Sequence, residues 1–261
     1  MKTNRLTTNE YWNQKYGSNV TTTLTTSGFQ GHTNKQILEQ ISSIGLHQKS
    51  IIEIGAGGSQ WLPFLAKQYP DSSFTGLDYA KAGCKELKDR AKIENVDITV
   101  VNADLFQPPK ELIGKFDILI SFGVVEHFDN LSETVKALSV FLKPTGTIFT
   151  IIPNMNGSIG YLTRKLNKDV YDLHNPHDLA SLKKGHEDAG VIIKKANYLC
   201  STEFGVLSAC INHKSNAKAK FTYLWLSRLT KFISIFELKL LRLPASRLFS
   251  PFIYCITEIK S

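Results

Sequence analysis

The chain has 261 residues, 42% of them apolar, with 31 Lys and Arg against 23 Asp and Glu. That length suits one large domain with a sizeable core, and the composition excludes a disordered or collagen-like polymer. The positive charge is local, since residues 211–261 hold nine Lys or Arg and two acids; an anionic partner is implied for that segment alone, and no nucleic-acid reading element accompanies it.

Residues 1–31 are rich in Thr, Asn and Ser and contain one aromatic cluster, Tyr11, Trp12 and Tyr16. The first twenty lack the apolar stretch of a secretory signal, so a cytoplasmic chain is expected. Residues 34–44 set Ile37, Leu38, Ile41 and Ile44 at helical spacing. A regular alternation follows. Strands are predicted at 50–54, 73–77, 97–101, 116–121 and 147–152, and helices at 60–68, 80–91 and 131–142, with Pro108, Pro109, Pro144 and Pro153 as breakers. Short apolar strands alternating with amphipathic helices predict a parallel sheet covered on both faces.

Beyond Pro153 the pattern changes. Residues 154–175 read as irregular. Residues 177–189 read as a helix, with Asn175 as N-cap, Pro176 at the first position and Asp178 in the first turn. A strand at 191–199, a basic apolar helix at 218–243 and a closing strand at 250–259 complete the chain. Cys84, Cys200, Cys210 and Cys255 show no paired spacing, which predicts free buried thiols.

The strongest chemical signal is Ile51-Ile52-Glu53-Ile54-Gly55-Ala56-Gly57-Gly58-Ser59. A buried strand runs through glycines into a helix. The glycines permit a tight turn and close approach of a ligand, and the helix start offers free N–H groups. A dinucleotide site would look partly similar, but the third glycine of its pattern falls on Gln60. Glu53 sits inside an apolar strand, where a carboxylate is costly unless paired or hydrogen-bonded. Asp78, about twenty residues past the glycines, ends the second strand and is placed to accept from ribose hydroxyls. Asp104 ends the third, where its carboxylate can accept from an adenine amino group. Ser121-Phe122-Gly123-Val124-Val125-Glu126-His127-Phe128 leaves the fourth.

These runs, EIGAGG, GLD, NAD, FDILISFGVVEHF and LKPTGTIFTIIPN in this order, resemble the class I S-adenosylmethionine-dependent methyltransferase family over residues 11–199 and 250–259. The resemblance implies an α/β fold: a Rossmann-like seven-stranded, mostly parallel sheet with helices on both faces and a helical insertion before an antiparallel last strand. It divides the chain into an N-terminal cap (1–49), a donor-binding core (50–200), a basic helical insertion (201–249) and the closing strand (250–261). It implies S-adenosyl-L-methionine as cofactor, with Glu53 among the cofactor-binding residues, Gly55 and Gly57 at the methionine moiety and Asp78 at the ribose. Asp104 and Leu105 would bracket the adenine, Ser121 and Phe122 would approach from the fourth strand, and Trp12 would close over the donor.

Methyl transfer to a hydroxyl needs positioning and removal of a proton. His127, His174 and His177 are the candidates for that base, and Asn154 and Tyr161 for contact with the acceptor. The run from IIPN to VYDLH is similar to methyltransferases of polysaccharide and glycolipid biosynthesis, which implies a small-molecule or glycan acceptor. No metal is expected, because His174, His177, Asp178 and His186 follow no established ligand spacing.

In residues 218–243, Leu224, Trp225, Leu229, Phe232, Ile233, Phe236, Leu240 and Leu243 recur at helical spacing among Arg228, Lys231, Lys239 and Arg242. The charges exclude a membrane span. A lid or homodimer contact, or a peripheral contact with an anionic membrane at its inner surface, both remain open. Two further functions stay in view: an NAD-dependent oxidoreductase, and a catalytically silent donor-binding module within a complex.

Overall fold

The computed structural model describes residues 4–16, 24–212 and 215–260. In chain order the helices are α1 (Asn9–Lys15), α2 (His32–Ser42), α3 (Trp61–Gln68), α4 (Lys81–Glu94), α5 (Leu131–Ser139), α6 (Ser158–Leu166), α7 (Lys168–Asp172), α8 (Leu179–Asp188) and α9 (Ala217–Lys239). The strands are β1 (Ser50–Ile54), β2 (Ser73–Asp78), β3 (Thr99–Asn102), β4 (Phe116–Phe122), β5 (Leu142–Pro153), β6 (Ile192–Leu199) and β7 (Phe252–Glu258).

Among the described residues the strands form one seven-stranded sheet in the order β3-β2-β1-β4-β5-β7-β6. Strands β1 to β5 pair in parallel, and β7 runs antiparallel to both β5 and β6. The chain leaves β1 toward β2 and β3 on one side and returns to β4 and β5 on the other. That reversal opens a crevice at the carboxyl ends of β1 and β4, where open α/β sheets bind ligands.

The alternation of β1 explains the two-sided burial. Ile52 and Ile54 face one apolar cluster with Leu119, Val135 of α5 and Leu182 of α8. Ile51 faces the other, with Ile37 and Ile41 of α2, Leu62 and Leu65 of α3, and Leu87 of α4. Helices therefore cover both faces, as the alternation predicts. The four cysteines are buried and free.

Three departures from the sequence reading have physical reasons. Strand β5 begins at Leu142, where a helix was expected to end, and runs through Pro144 and Gly146 as an irregularity in its pairing with β4. Thr145 takes a positive φ of 63° there, so the breaker residues bend a strand instead of stopping one. The stretch read as irregular contains α6 and α7; Ile159 of α6 packs on Phe204 and Leu207 from the 3-10 turn Phe204–Cys210, a long-range contact that local pattern does not carry.

The third concerns the start of α8. Its N-cap is Asp178, not Asn175, and Asp178 closes a capping box with Ser181. Asn175 instead ties its loop to the end of β4: its backbone N–H donates to the Glu126 carbonyl (2.8 Å) and its Nδ2 to the Phe128 carbonyl (2.6 Å).

Candidate functional site

At the carboxyl ends of β1, β2 and β4 lies a cavity whose wall includes Glu53, Gly55, Gly57, Asp78, Asp104 and Leu105. Trp12, Phe122 and His127 complete it, so nine of the residues singled out in the sequence meet in one place. Glu53 lies within the buried run of β1, one residue before its end. Its carboxylate accepts from Ser59 Oγ at 2.7 Å, and burial pushes its pKa up to about 8 against that bond. Asp78 accepts from the backbone N–H of Gly57 (2.8 Å) and of Ala80 (2.6 Å). Burial still raises its pKa, the two N–H bonds opposing. Gly55 has φ 75°, and a Cβ there would fall 2.4 Å from a Val124 methyl, so the turn requires glycine twice over.

At the opposite end Asp104 pairs with Arg5, and its Oδ1 also accepts from the Phe106 N–H. The Arg5 guanidinium lies 4.7 Å from the Tyr79 ring centre and 5.6 Å from those of Phe106 and Phe128. The segment carrying it is pinned by Leu6 N–H to the His127 carbonyl and by Asp129 N–H to the Asn4 carbonyl. Tyr16 covers the glycine turn from above, its ring within 3 Å of where Gly57 and Gly83 would carry a Cβ. Burial raises the Tyr16 hydroxyl, reinforced by Asp78 and Glu53.

A second cavity adjoins the first and shares Trp12, Trp61, Phe122, Gly123 and His127 with it. Trp61 stacks on Phe122 at 5.2 Å, and Trp12 meets His127 edge-on at 5.5 Å. Glu126 and His174 line the second cavity. The His127 and His174 rings are 4.7 Å apart. Burial, with His174 beside it, lowers the His127 pKa to about 4 despite the bond to Leu173. Burial pushes Glu126 up to about 8.

The other sequence candidates lie apart. Ser121 is buried with its Oγ unpartnered and lines neither cavity. His177 is beside the α8 cap, its Nδ1 3.4 Å from Ser181 Oγ. Asn154 is buried and donates its Nδ2 to the carbonyls of Arg247 and Ser250, both at 2.9 Å. Tyr161 stands exposed on α6. Arg5, Tyr16, Trp61 and Glu126 were not picked out as site residues. Tyr16 had a legible signal, four residues after Trp12 and so on the same helix face. Arg5 had none.

The donor set fits an S-adenosylmethionine-like ligand. Carboxylates stand at both ends and the middle of the cavity, between the apolar walls of Ile54, Leu77 and Leu105. Such a row suits an ammonium group, a ribose diol and an adenine amine. It opposes a pyrophosphate, because the Gly57 N–H that would cradle one is already given to the Asp78 carboxylate, which would repel it.

Comparison with known proteins agrees. A family model described as a methyltransferase domain matches residues 52–148. The chain is 24% identical over 155 residues to the ubiquinone biosynthesis O-methyltransferase of Escherichia coli O9:H4 (strain HS), covering 59% of this chain and 60% of that protein. It is 23% identical over 137 residues to the protein of the same name from Escherichia coli O127:H6 (strain E2348/69 / EPEC), covering 49% and 56%. The chain thus spans about three-fifths of the length of the curated relatives it matches.

Among solved structures, Haemonchus contortus phosphoethanolamine N-methyltransferase 2 in complex with S-adenosyl-L-methionine superposes with a TM-score of 0.62 at 14% identity, over 88% of this chain and 53% of that one. Geranyl diphosphate C-methyltransferase from Streptomyces coelicolor A3(2) gives 0.59 at 12% identity, over 87% and 78%. Residues 52–148 thus match a methyltransferase domain, and the sheet order and the carboxylates at the ends of β1, β2 and β3 agree with the Rossmann-like fold of S-adenosylmethionine-dependent methyltransferases.

Proposed function

We propose that the protein transfers a methyl group from S-adenosylmethionine to a hydroxyl group of a small-molecule or glycan acceptor. The observation that carries this reading is the junction of two cavities at Trp12, Trp61, Phe122, Gly123 and His127, one rich in carboxylates and one open beside it. When bound, the donor supplies a methyl on a sulfonium, and the thioether it leaves is neutral.

The chain's own part is positioning and exclusion of water. Glu53 and Gly57 hold the methionine end, Asp78 the ribose hydroxyls, and Asp104 with Leu105 the adenine. Trp12 and Tyr16 close over the donor from α1 and its end. Phe122 stacked on Trp61 forms an apolar wall at the junction. His127 and His174 present ring nitrogens to the acceptor side, and the hydroxyl proton leaves toward them. His177, Asn154 and Tyr161 take no direct part in this reading. The two O-methyltransferase relatives support a hydroxyl as the atom methylated; the glycan acceptor rests on the sequence of residues 151–174.

We also infer that α9 meets an anionic lipid surface. Its fully buried residues are polar, Thr230, Ser234 and Glu237, while Tyr223 and Leu226 pack on the cluster of Ile159, Phe204 and Leu207. Thr230 accepts from the Phe204 N–H, and Glu237 bonds His32 at 2.5 Å. Its outward face carries Phe221 (62% exposed), Trp225 (56%) and Phe232 (69%), with Arg228 and Lys231 among them. A helix on a globular protein ordinarily exposes a polar face; an outward face of large apolar side chains among cations matches a helix lying at an interface. Among the described residues no helix is long and apolar enough to cross a membrane.

The cofactor reading is tested by calorimetric titration with S-adenosylhomocysteine, with NADH as control. One-site binding of the first alone is expected; preferential binding of NADH overturns the reading. Binding without methyl transfer to any hydroxyl acceptor would favour a silent module. Sedimentation with phosphatidylglycerol vesicles tests α9. Binding lost on Trp225→Glu and Phe232→Glu is expected, whereas a vesicle-indifferent dimer disrupted by the same changes would assign that face to a second copy.

A further inference from the structure

Three ligand-type side chains converge at the junction of the two cavities. Glu126 and His127 lie in the 3-10 turn Val125–His127 after β4, and His174 in the loop after α7. One side-chain ligand atom from each lies within 4.8 Å of the others. Ligands around a shared ion at ~2.1 Å stand about 3–4 Å apart, so small side-chain rotations close the set.

The hydrogen bonds around the cluster fix which atoms face it. Nδ1 of His127 is 2.6 Å from the Leu173 carbonyl oxygen, and Nδ1 of His174 is 2.7 Å from the Val170 carbonyl oxygen. A carbonyl only accepts, so both Nδ1 atoms carry the proton and both Nε2 atoms keep a free lone pair. That is the outer-shell arrangement which orients a metal-binding imidazole. Glu126 is buried, and both its oxygens lack a hydrogen-bond partner. A buried carboxylate left so is costly unless something absent from the chain compensates it. Asn175, bonded to the Glu126 and Phe128 carbonyls, clamps the loop of His174 against this turn, so the convergence is built into the backbone.

We propose that Glu126, His127 and His174 bind a divalent transition-metal cation that faces the second cavity and holds the acceptor's hydroxyl oxygens. Two imidazole nitrogens and one carboxylate favour zinc, manganese, iron or cobalt over calcium or magnesium, and leave positions open for the acceptor. The acceptor's part rests on the reading of the protein as a hydroxyl methyltransferase, with the cation instead of the free imidazoles favouring loss of the hydroxyl proton to water; the metal site itself rests on the geometry. Spacing alone does not join the three residues, because His174 lies 47 residues beyond His127 and in a stretch that reads as irregular.

The test is titration of chelator-treated protein with Co2+, followed by visible absorption, with S-adenosylhomocysteine titrated into every variant. The wild type is expected to bind one Co2+. Glu126→Gln and His174→Ala are expected to weaken it at least tenfold while leaving S-adenosylhomocysteine affinity unchanged, and His47→Ala, at an exposed histidine paired with Asp71, is expected to bind as the wild type does. No stoichiometric Co2+, or Co2+ bound equally by both cluster variants, overturns the metal site even where the donor analogue binds. Co2+ bound and lost as expected without any binding of the analogue would instead overturn the donor reading and leave the metal site standing.

Discussion

The two cavities are made in different ways. The carboxylate-rich one takes its acids from three adjacent strands: Glu53 within β1, Asp78 as the last residue of β2 and Asp104 just past β3. The other draws on β4, the loop after α7 and the 3-10 turn at Phe204–Cys210, joined by contacts between residues far apart in sequence. The first is a property of the sheet and inherits its rigidity. The second depends on how the segments after β5 dock, which is where a shared scaffold can take up different acceptors.

The contrast can be broken by substitution. The largest effect is expected at Asp78→Ala, which removes a charged acceptor from the donor cavity; affinity for S-adenosylhomocysteine should fall about 10- to 100-fold. Unchanged affinity in calorimetry would remove Asp78 from the site. Next, Asn154→Ala should lower stability by about 1–3 kcal/mol, because the Arg247 and Ser250 carbonyls lose their donor. Donor affinity should not change. Urea denaturation measures the first and calorimetry the second; a loss confined to acceptor binding would restore Asn154 to the acceptor site.

A smaller effect concerns Glu53. Burial holds its pKa at about 8, so the free protein carries it protonated at neutral pH. A donor ammonium group favours the ionised form, so binding should release a proton and tighten as pH rises toward about 8, then level off. Calorimetry in two buffers of different ionisation heat reads the proton, and Glu53→Gln should abolish it. A wild-type protein that takes up or releases no proton at pH 7 would place the ammonium elsewhere.

The smallest effect lies far from both cavities. Burial raises the Asp117 pKa, but bonds from Ser50 Oγ and N–H and from Lys143 outweigh it and lower the pKa to about 2. A depressed carboxylate stabilises the fold above the unfolded value of about 3.9 and loses that contribution as pH falls toward 2. Because the group is partly exposed, the contribution is expected below about 1 kcal/mol. Asp117→Asn should flatten the acid limb of urea midpoint against pH between 4 and 2; an unchanged limb would assign acid sensitivity elsewhere.

What was legible in the sequence follows the same division. Period-two apolar runs and glycine turns are local, so β1 to β4 and the carboxylates at the ends of β1, β2 and β3 could be read from spacing. Pro144 and Gly146 misled because the first residues of a strand tolerate a bulge, and a helix end would equally explain the same residues. Helices α6 and α7 escaped because their apolar residues pack on a turn some forty residues later. Asn175 looked like a cap by residue type, while its side chain serves the turn after β4. Arg5 is a single cation in a polar stretch, and only the folded chain brings the rings of Tyr79, Phe106 and Phe128 around it.

The position of β7 has a consequence for biosynthesis. This strand comes from residues 252–258, yet it lies inside the sheet, with β5 on one side and β6 on the other. While the chain emerges from the ribosome, β1 to β5 can pair as soon as they are made. The gap beside β5 stays open until residues 252–258 have been made, leaving a strand edge and the apolar faces of α8 and β6 uncovered. The nascent protein therefore carries an open strand edge from the time β5 is made until β7 fills it, and β7 closes it on both sides in a single step.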